Sequence, residues 1–189
     1  MSDKERNWRD MWKWFQERVG GNISYSDFVI LQRELDIGKL SLYSFYKKAF
    51  RIMELKYTRK DLIKISRPVI RKTKLNPKIR DIVLKLKAHG YIVPLLSNSI
   101  NEIAKSLRKR GCYKIFYPVF ISCETGFSKN DGELYVFALK KLQLKPQECI
   151  IIDDNPDFVK YAKRVGIKTI LYDNPIKLRA DLKSFGISI

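Results

Sequence analysis

The stretch ECIIIDDNPD, residues 148–157, decides the fold of this chain. Its three consecutive isoleucines form an apolar, β-branched run, which is typical of a strand buried on both faces of a parallel sheet. Asp153 and Asp154 follow directly, so two carboxylates lie at the carboxyl end of the predicted strand, the edge at which open α/β sheets bind ligands. Pro156 then suits the first turn of a helix. The stretch therefore predicts a buried strand, an acidic tip and a helix, in that order.

The adjacent carboxylates of Asp153 and Asp154 have two interpretations. They repel each other unless a cation or a positive side chain lies between them, and hard divalent cations such as Mg²⁺ bind oxygen ligands of this kind. Alternatively, the two acids cap the N-terminus of the helix that follows. The stretch by itself leaves both interpretations open.

The composition is strongly basic. The chain has 189 residues, with 38 Lys and Arg against 20 Asp and Glu, for a net charge of +18. This length suits one domain, or one domain with a smaller insert. The positive charge favours phosphate-bearing partners, which include nucleic acid, phosphorylated metabolites and anionic membrane surfaces. A solvated surface of lysine-rich helices is the alternative.

Cysteine and histidine are scarce. The three cysteines are odd in number and lack CxxC spacing, and the single His89 precedes Gly90 at the expected end of a helix. The composition therefore argues against chemistry that is built on His and Cys. Near the N-terminus no apolar segment is long enough for a signal peptide or a membrane span, so we expect a soluble cytoplasmic protein without a membrane partner.

The first third of the chain is expected to be helical. Apolar residues recur there at helical spacing, and Ser24 or Ser26 and then Ser41 are suited to cap successive helices. Thr58 and Asp61 have the spacing of a capping box for a further helix. No strand is evident before about residue 90, so residues 1–74 are predicted to form a helical domain.

From residue 75 the pattern changes to alternating helices and strands. Apolar runs at 91–96, 117–122, 149–152 and 169–172 are separated by helical segments that begin or end at Pro and Gly. Strands that alternate with helices predict a doubly wound, parallel α/β sheet over residues 75–189.

Polar residues follow three of the predicted strands. Ser97 and Asn98 follow the first strand, Lys129 lies in the loop after the second, and Asp153 and Asp154 follow the third. A hydroxyl and an amide that hydrogen-bond phosphate oxygens, a lysine that neutralises charge and carboxylates that hold Mg²⁺ are the groups that phosphoryl transfer needs. Each is weak evidence alone, since Ser-Asn is an ordinary turn and a loop lysine is usually solvated. Their order and their placement at strand ends are more specific.

These motifs resemble those of the haloacid dehalogenase-like hydrolases, a superfamily dominated by Mg²⁺-dependent phosphatases. The sequence at 95–98 (LLSN) is similar to the second family motif, 126–131 (GFSKND) to the third, and 151–155 (IIDDN) to the fourth. In the third motif, Asn130 and Gly132 replace the usual prolines. The resemblance implies that Ser97 binds the transferring phosphoryl group with Asn98 beside it, and that Lys129 neutralises its charge. It also implies that Asp154 is the Mg²⁺ ligand, supported by Asp153.

The helical segment resembles the small α-helical cap of the subclass that includes sugar-phosphate phosphatases. The turn at 38–41 (GKLS) lies between two of its helices. The resemblance thus covers nearly the whole chain, with a Rossmann-like core and a cap. It implies Mg²⁺-dependent hydrolysis of a small phosphorylated substrate.

One motif of the family has no counterpart in the sequence. The first motif is an apolar strand that ends in Asp-x-Asp and supplies the nucleophile, and in the family this strand is the centre of the sheet. Asp3 and Asp10 follow no apolar run, and Asp27 precedes one. Three explanations compete. In the first, the sequence starts downstream of the natural start. In the second, the strand is supplied by a partner or truly lost. In the third, the two flanking strands pair directly. We expect that this polypeptide alone does not form the aspartyl-phosphate.

Other functions are also compatible with parts of the sequence. The segment 56–74 carries eight basic residues against Asp61 alone, with Tyr57 as its single aromatic, which is compatible with a nucleic-acid-binding face. A solvated helix face, or a surface that attracts phosphorylated substrates, explains the same charges. No GxGxxG or GxxxxGK[ST] motif follows any strand, so dinucleotide and P-loop sites are not supported. The oligomeric state stays open, although an unpaired sheet edge would favour self-association.

Overall fold

The computed structural model describes residues 3–66 and 76–189, and it describes side chains outside 3–8 and 65–66. The predicted boundary between residues 74 and 75 lies outside these ranges and stays a prediction. No helix in the described ranges is long and apolar enough to cross a membrane.

The N-terminal part is helical, as the sequence predicts. Ser24 and Ser41 each accept a hydrogen bond from a backbone N–H in the first turn of the helix that follows them, and Thr58 and Asp61 form the predicted capping box. The helices are α1 (Asp3–Val19), α2 (Tyr25–Asp36), α3 (Leu42–Ile52) and α4 (Arg59–Ser66).

These four helices share one continuous core. Phe15 packs at its centre, with ring centroids 5.4 Å from Phe28, 5.5 Å from Phe45 and 5.9 Å from Tyr46. Aromatic rings at these separations add to the stabilisation that burial of their area gives. The helical part is therefore closed around its own apolar residues, with a contribution from Ile100 of the α/β part.

The remainder alternates helices and strands, as predicted. Pro94 has no N–H to donate, and the first strand begins only after it, so this strand is shorter than the apolar run at 91–96. The elements are α5 (Pro77–Ala88), β1 (Leu95–Ser97), α6 (Asn101–Lys109), β2 (Val119–Ile121), α7 (Ser122–Thr125), α8 (Glu133–Leu142), β3 (Ile150–Asp153), α9 (Pro156–Arg164), β4 (Lys168–Leu171) and α10 (Pro175–Ser184).

The strands form two separate parallel pairs. β1 pairs with β2, with Leu96 opposite Phe120, and β3 pairs with β4, with Ile152 opposite Ile170. The parallel α/β architecture with a helical cap is thus confirmed. Within the described residues no strand pairing joins β1 to β3, so the sheet has a break at the position where the family resemblance implies a central strand.

Candidate active site

The polar residues predicted from the three motifs meet at one end of the two strand pairs. Ser97 ends β1, Asp153 ends β3, and Lys129 lies in the loop between α7 and α8. In a parallel arrangement the carboxyl ends of strands share one edge, which is why residues distant in sequence come together here.

Asn98 fixes the loop that carries Lys129. The backbone N–H of Lys129 donates to Asn98 Oδ1 at 2.9 Å, and Asn98 Nδ2 donates to Ser128 Oγ at 3.1 Å. Ser128 Oγ also accepts from the backbone N–H of Asn130 at 3.0 Å. Sequence reasoning gave Ser128 no role, because a serine beside a loop lysine has no distinctive pattern. Its buried hydroxyl nevertheless connects the two motifs.

Lys129 and Asp153 form a buried ion pair. Lys129 Nζ lies 2.7 Å from Asp153 Oδ2, and the two side chains are only 9% and 10% exposed. The other oxygen of Asp153 accepts from the backbone N–H of Asn155 at 2.9 Å. Buried charges persist in a fold only when they are paired and hydrogen-bonded, and both conditions hold here. The pair also joins the loop after β2 to the tip of β3, and so bridges the two strand pairs.

One aromatic ring lies against the lysine. Lys129 Nζ lies 4.2 Å from the ring centroid of Phe158, a cation–π distance, and the Tyr135 hydroxyl donates to the Phe158 carbonyl oxygen at 3.1 Å. Burial raises the pKa of Tyr135, and the negative charge of Asp153 raises it further, so this hydroxyl stays protonated. Phe158 lies in the helix that Pro156 begins, and its contact with Lys129 depends on the tertiary fold.

Asp154 differs from its neighbour. Asp154 is exposed and lines a cavity that Lys129 and Asp153 also line. The alternative that the two acids cap the next helix is wrong, because Asn155 is the N-cap of α9 and accepts from the N–H of Asp157. Asp153 is committed to Lys129 and Asn155, whereas Asp154 faces the cavity.

Asp154 fits the role of a magnesium ligand. Within the described ranges no three His, Cys, Asp or Glu side chains cluster closely enough to enclose a metal ion. Magnesium, however, is commonly held by one or two carboxylates together with waters and substrate phosphate oxygens. An exposed acidic residue on the wall of a cavity that Lys129 also lines matches that donor set.

The helical part approaches the same loop. Gln32 Nε2 donates to Asp36 Oδ1 at 2.9 Å, and Asn130, which follows Lys129, also hydrogen-bonds the Asp36 carboxylate. Burial raises the pKa of Asp36 to about 6, against the opposing effect of these two hydrogen bonds. Gly38 packs against the Cys123 backbone with φ +79°, where any side chain would collide. Asp36 therefore holds the helical part against the loop that carries Lys129, and Gly38 holds it against α7.

The segment proposed as a nucleic-acid-binding face is described only in part. Lys56, Arg59, Lys60 and Lys64 are exposed, whereas its other four basic residues lie outside the described ranges. Tyr57 packs against Phe50, with ring centroids 5.4 Å apart, at the edge of the helical core. The one aromatic side chain of the segment is thus engaged in packing.

The fold and the site together define a helix-capped α/β protein whose polar groups converge at the carboxyl ends of its strands. The chain belongs to the haloacid dehalogenase-like hydrolases, because the model of that family matches residues 10–166. The family predicted from the motifs is thereby confirmed.

Curated relatives include phosphatases. The chain is 37% identical over 70 residues to a flavin mononucleotide hydrolase of Arabidopsis thaliana, a match that covers 37% of this chain and 29% of that protein. It is 33% identical over 99 residues to a glyceraldehyde 3-phosphate phosphatase of Pyrococcus furiosus, covering 51% of this chain and 41% of that protein. The matched stretches thus span less than half of the length of these relatives.

A solved structure has the same fold over most of its length. It is that of a haloacid dehalogenase family enzyme of Bacteroides thetaiotaomicron in complex with magnesium and inorganic phosphate. The TM-score is 0.63 at 19% identity, and the match covers 89% of this chain and 84% of that one.

Proposed function

We propose that this protein is a Mg²⁺-dependent phosphatase of the haloacid dehalogenase type that acts on a small phosphorylated metabolite. The observation that carries the proposal is the buried Lys129–Asp153 ion pair, held by Asn98 at the carboxyl ends of β1 and β3. Phosphatase activity in several relatives supports the reaction class, and a neighbour that holds magnesium and phosphate supports the ligands.

Each site residue has a distinct task in this proposal. The Ser97 hydroxyl donates to the carbonyl oxygen of the next residue over a long distance of 3.4 Å. Because this hydrogen bond is weak, the hydroxyl can donate to a phosphate oxygen instead. Lys129 faces the phosphate with its positive charge and Asn98 holds its backbone in place. Asp153 fixes the lysine ammonium, which orders the charge before substrate arrives. Asp154 would hold Mg²⁺, which supplies further positive charge to the phosphoryl group.

Neither carboxylate of the acidic pair is available as the nucleophile. Asp153 is occupied by Lys129 and Asn155, and we assign Asp154 to the metal, so neither is assigned to attack phosphorus. We therefore propose that the 189-residue polypeptide binds phosphate and Mg²⁺ but does not turn over a phosphomonoester by itself.

The test combines binding and turnover. Inorganic phosphate is titrated calorimetrically into the purified chain with and without Mg²⁺, and p-nitrophenyl phosphate hydrolysis is measured in parallel. We expect Mg²⁺ to tighten phosphate binding, Asp154→Asn to remove that enhancement, and the matched change Asp157→Asn on α9 to leave it intact. Absence of both Mg²⁺-dependent phosphate binding and hydrolysis would contradict the proposed function. Hydrolysis by the pure chain would contradict only its inactivity.

The alternative is a non-catalytic protein that binds phosphate or nucleic acid, and binding measurements test it. Binding to nucleic acid would weaken steeply with salt, because it releases counterions from phosphates. The packing of Tyr57 against Phe50 leaves this segment without a free ring for base stacking, so the phosphatase proposal ranks first.

A further inference from the structure

The topology of the α/β part separates its positive and negative charges. α5, α6, α8 and α9 each lead into a strand, so they end on the side of the sheet where the strands begin. This side, the amino edge, is formed by residues 85–94, 107–118, 140–149 and 163–168. The four segments contain twelve Lys and Arg, all exposed, and a single acid, Glu148.

The opposite edge, which holds the candidate active site, has the reverse charge. The segments that follow the strands contain eight acids, with Lys129 as their single basic residue; they are residues 97–102, 122–133, 153–157 and 172–175. The positive charge of the α/β part is therefore not concentrated where a phosphorylated substrate would meet Lys129. It lies at the other end of the strands, and attraction of that substrate does not explain it.

The four segments of the amino edge adjoin one another. Lys87 Nζ donates to the Ile115 carbonyl oxygen at 3.2 Å, which joins the first segment to the second. Gly166 packs against Pro146, which joins the fourth segment to the third. Val93, in the first segment, packs in the same apolar cluster as the first residue of β3, which follows the third segment. The basic side chains thus belong to one continuous surface.

Helix dipoles explain only part of this charge. A cation in the last turn of a helix is stabilised by the dipole, but the effect fades beyond that turn. Lys114, Lys145 and Lys168 lie beyond the last turns of α6, α8 and α9, and within the described residues they form no ion pair. Like charges without counter-charges repel one another, and a bound polyanion relieves that repulsion. The charge of the amino edge therefore fits a row of phosphates.

An exposed aromatic ring lies within the amino edge. Tyr117 is 78% exposed, the largest value for any aromatic side chain in the described ranges. Its backbone N–H donates to the Val93 carbonyl oxygen at 3.2 Å, which fixes its position beside β1. A free ring of this kind can stack on an unpaired nucleobase, whereas the bases of a duplex are already stacked on one another. Tyr57 of the segment 56–74 differs, because it packs against Phe50.

We propose that the amino edge binds single-stranded nucleic acid, with its lysines and arginines against the phosphates and Tyr117 stacked on one base. The candidate active site lies at the other end of the strands, so this binding does not depend on the proposed function. An anionic membrane surface is attracted by the same charge. It offers no base for Tyr117, however, so single-stranded nucleic acid matches both features of the surface.

The probe is a fluorescein-labelled oligouridine of about 15 nucleotides, a length within the range of known single-strand sites. Its affinity is measured by fluorescence anisotropy between about 50 and 200 mM KCl. We expect a plot of log K against log salt with a slope of about −3 or steeper, because each contacted phosphate of a single strand contributes about −0.7. Absence of binding at the lowest salt concentration, or a slope near zero, would overturn the proposal.

Charge reversal locates the binding surface. Lys114→Glu combined with Lys145→Glu should weaken oligouridine binding at least about tenfold, because phosphate contacts are lost. The matched control combines Lys60→Glu with Lys64→Glu, at exposed positions of α4, which changes the net charge equally and should alter affinity by less than about twofold. Equal losses would show that net charge alone matters, and a larger loss in the control would assign binding to the segment 56–74. Either result would overturn the proposal.

Tyr117→Leu separates nucleic acid from a membrane. It should weaken oligouridine binding at least about fivefold, because one stacked base is lost, and should leave binding to a duplex of the same length unchanged. Oligouridine that carries 5-iodouridine should crosslink to Tyr117 under ultraviolet light, as mass spectrometry of the tryptic peptides shows. Equal oligouridine affinity of Tyr117→Leu and the unmodified chain would overturn the proposal. Binding to phosphatidylserine vesicles without binding to oligouridine would assign the surface to a membrane and overturn it too.

The same variants keep this proposal distinct from the proposed function. Lys114→Glu with Lys145→Glu should leave the Mg²⁺-dependent binding of inorganic phosphate unchanged, because the two lysines lie at the edge opposite Asp154. Loss of phosphate binding together with oligouridine binding would show that both ligands use one site, and would overturn the proposal of a separate surface. A chain that binds oligouridine but not phosphate would contradict the proposed function alone.

Discussion

The helical part and the α/β part of this chain bury their apolar residues in different ways. In the helical part twelve buried residues form one cluster together with Ile100 of the α/β part, and the buried aromatic rings of this cluster contact one another. In the α/β part the buried residues divide among four smaller clusters around two strand pairs. The helical part closes on itself because each helix satisfies its own backbone groups, whereas a strand depends on neighbours at both edges.

This difference identifies the contacts on which the stability of each part depends. In the described residues the helices of the helical part pack through their side chains, so four amphipathic helices suffice to enclose a core. The two strand pairs lie on either side of a cleft, the cavity that Leu96 of β1 and Ile152 of β3 line, and the Lys129–Asp153 ion pair joins them. Perturbations of the two parts should therefore have unequal effects.

The largest effect is expected from Lys129→Met. The substitution leaves Asp153 buried without its cation and removes the bridge between the strand pairs, which should lower the free energy of unfolding by about 3–5 kcal/mol. Urea unfolding followed by circular dichroism measures it. Lys177→Met is the matched control, since the Lys177–Asp181 pair has a 52% exposed lysine, and it should cost less than about 0.5 kcal/mol. Equal losses from the two changes would show that the buried Lys129–Asp153 pair stabilises the fold no more than the exposed pair does.

Truncation of one aliphatic side chain in each part tests the comparison directly. Leu35→Ala, at a 3% exposed position of the helical core, should cost about 2–5 kcal/mol, as a cavity forms there. Ile152→Ala, at the 37% exposed position beside the cleft, should cost less than about 1.5 kcal/mol, because little packing is lost. The same unfolding assay compares them, and a larger loss for Ile152→Ala would contradict the view that the cleft is loosely packed.

The free energy of unfolding should depend on pH through Asp36, which lies at the contact between the two parts. Its pKa is raised by burial from the usual 3.8 to about 6, so the ionised carboxylate destabilises the folded state. This penalty is absent below pH 3.8 and complete above about pH 6, so the free energy of unfolding should fall as the pH rises through that window. Asp36→Asn should remove this dependence and stabilise the chain by about 3 kcal/mol at neutral pH.

The control for this experiment is Asp173→Asn, at an exposed position that hydrogen-bonds only its neighbour Asn174 among the described contacts. It should leave the dependence between pH 4 and 6 in place. A dependence that survives Asp36→Asn would assign the titration to another group.

The smallest effects should be equal in the two parts. Ser41→Ala removes the cap of α3 and Asn76→Ala removes that of α5, and each should cost about 1 kcal/mol, because one backbone N–H loses its acceptor. Thermal unfolding of both variants measures it, with Ser184→Ala at the end of α10 as a control. Clearly unequal costs would mean that cap strength also depends on the surrounding tertiary packing.

Much of the fold could be predicted from local patterns. The caps at Ser24 and Ser41, the capping box at Thr58 and the parallel strand that ends at Asp153 all depend on residues close in sequence. The candidate site could be predicted because its residues follow strands, and strand ends converge. The contacts of Ser128 could not, because one buried serine in a loop has no periodic signal.

The sequence by itself determined the family, the order of helices and strands and the residues at the strand ends, since these follow from periodicity, capping and short motifs. Tertiary structure alone decided which groups the Asp153 carboxylate contacts. Asp153 turns inward to Lys129 and Asn155, while Asp154 faces the cavity. It also decided that β1 and β3 stand apart across a cleft. The physical reason is that local patterns fix where a strand begins and ends, but edge pairing depends on groups far away in the chain.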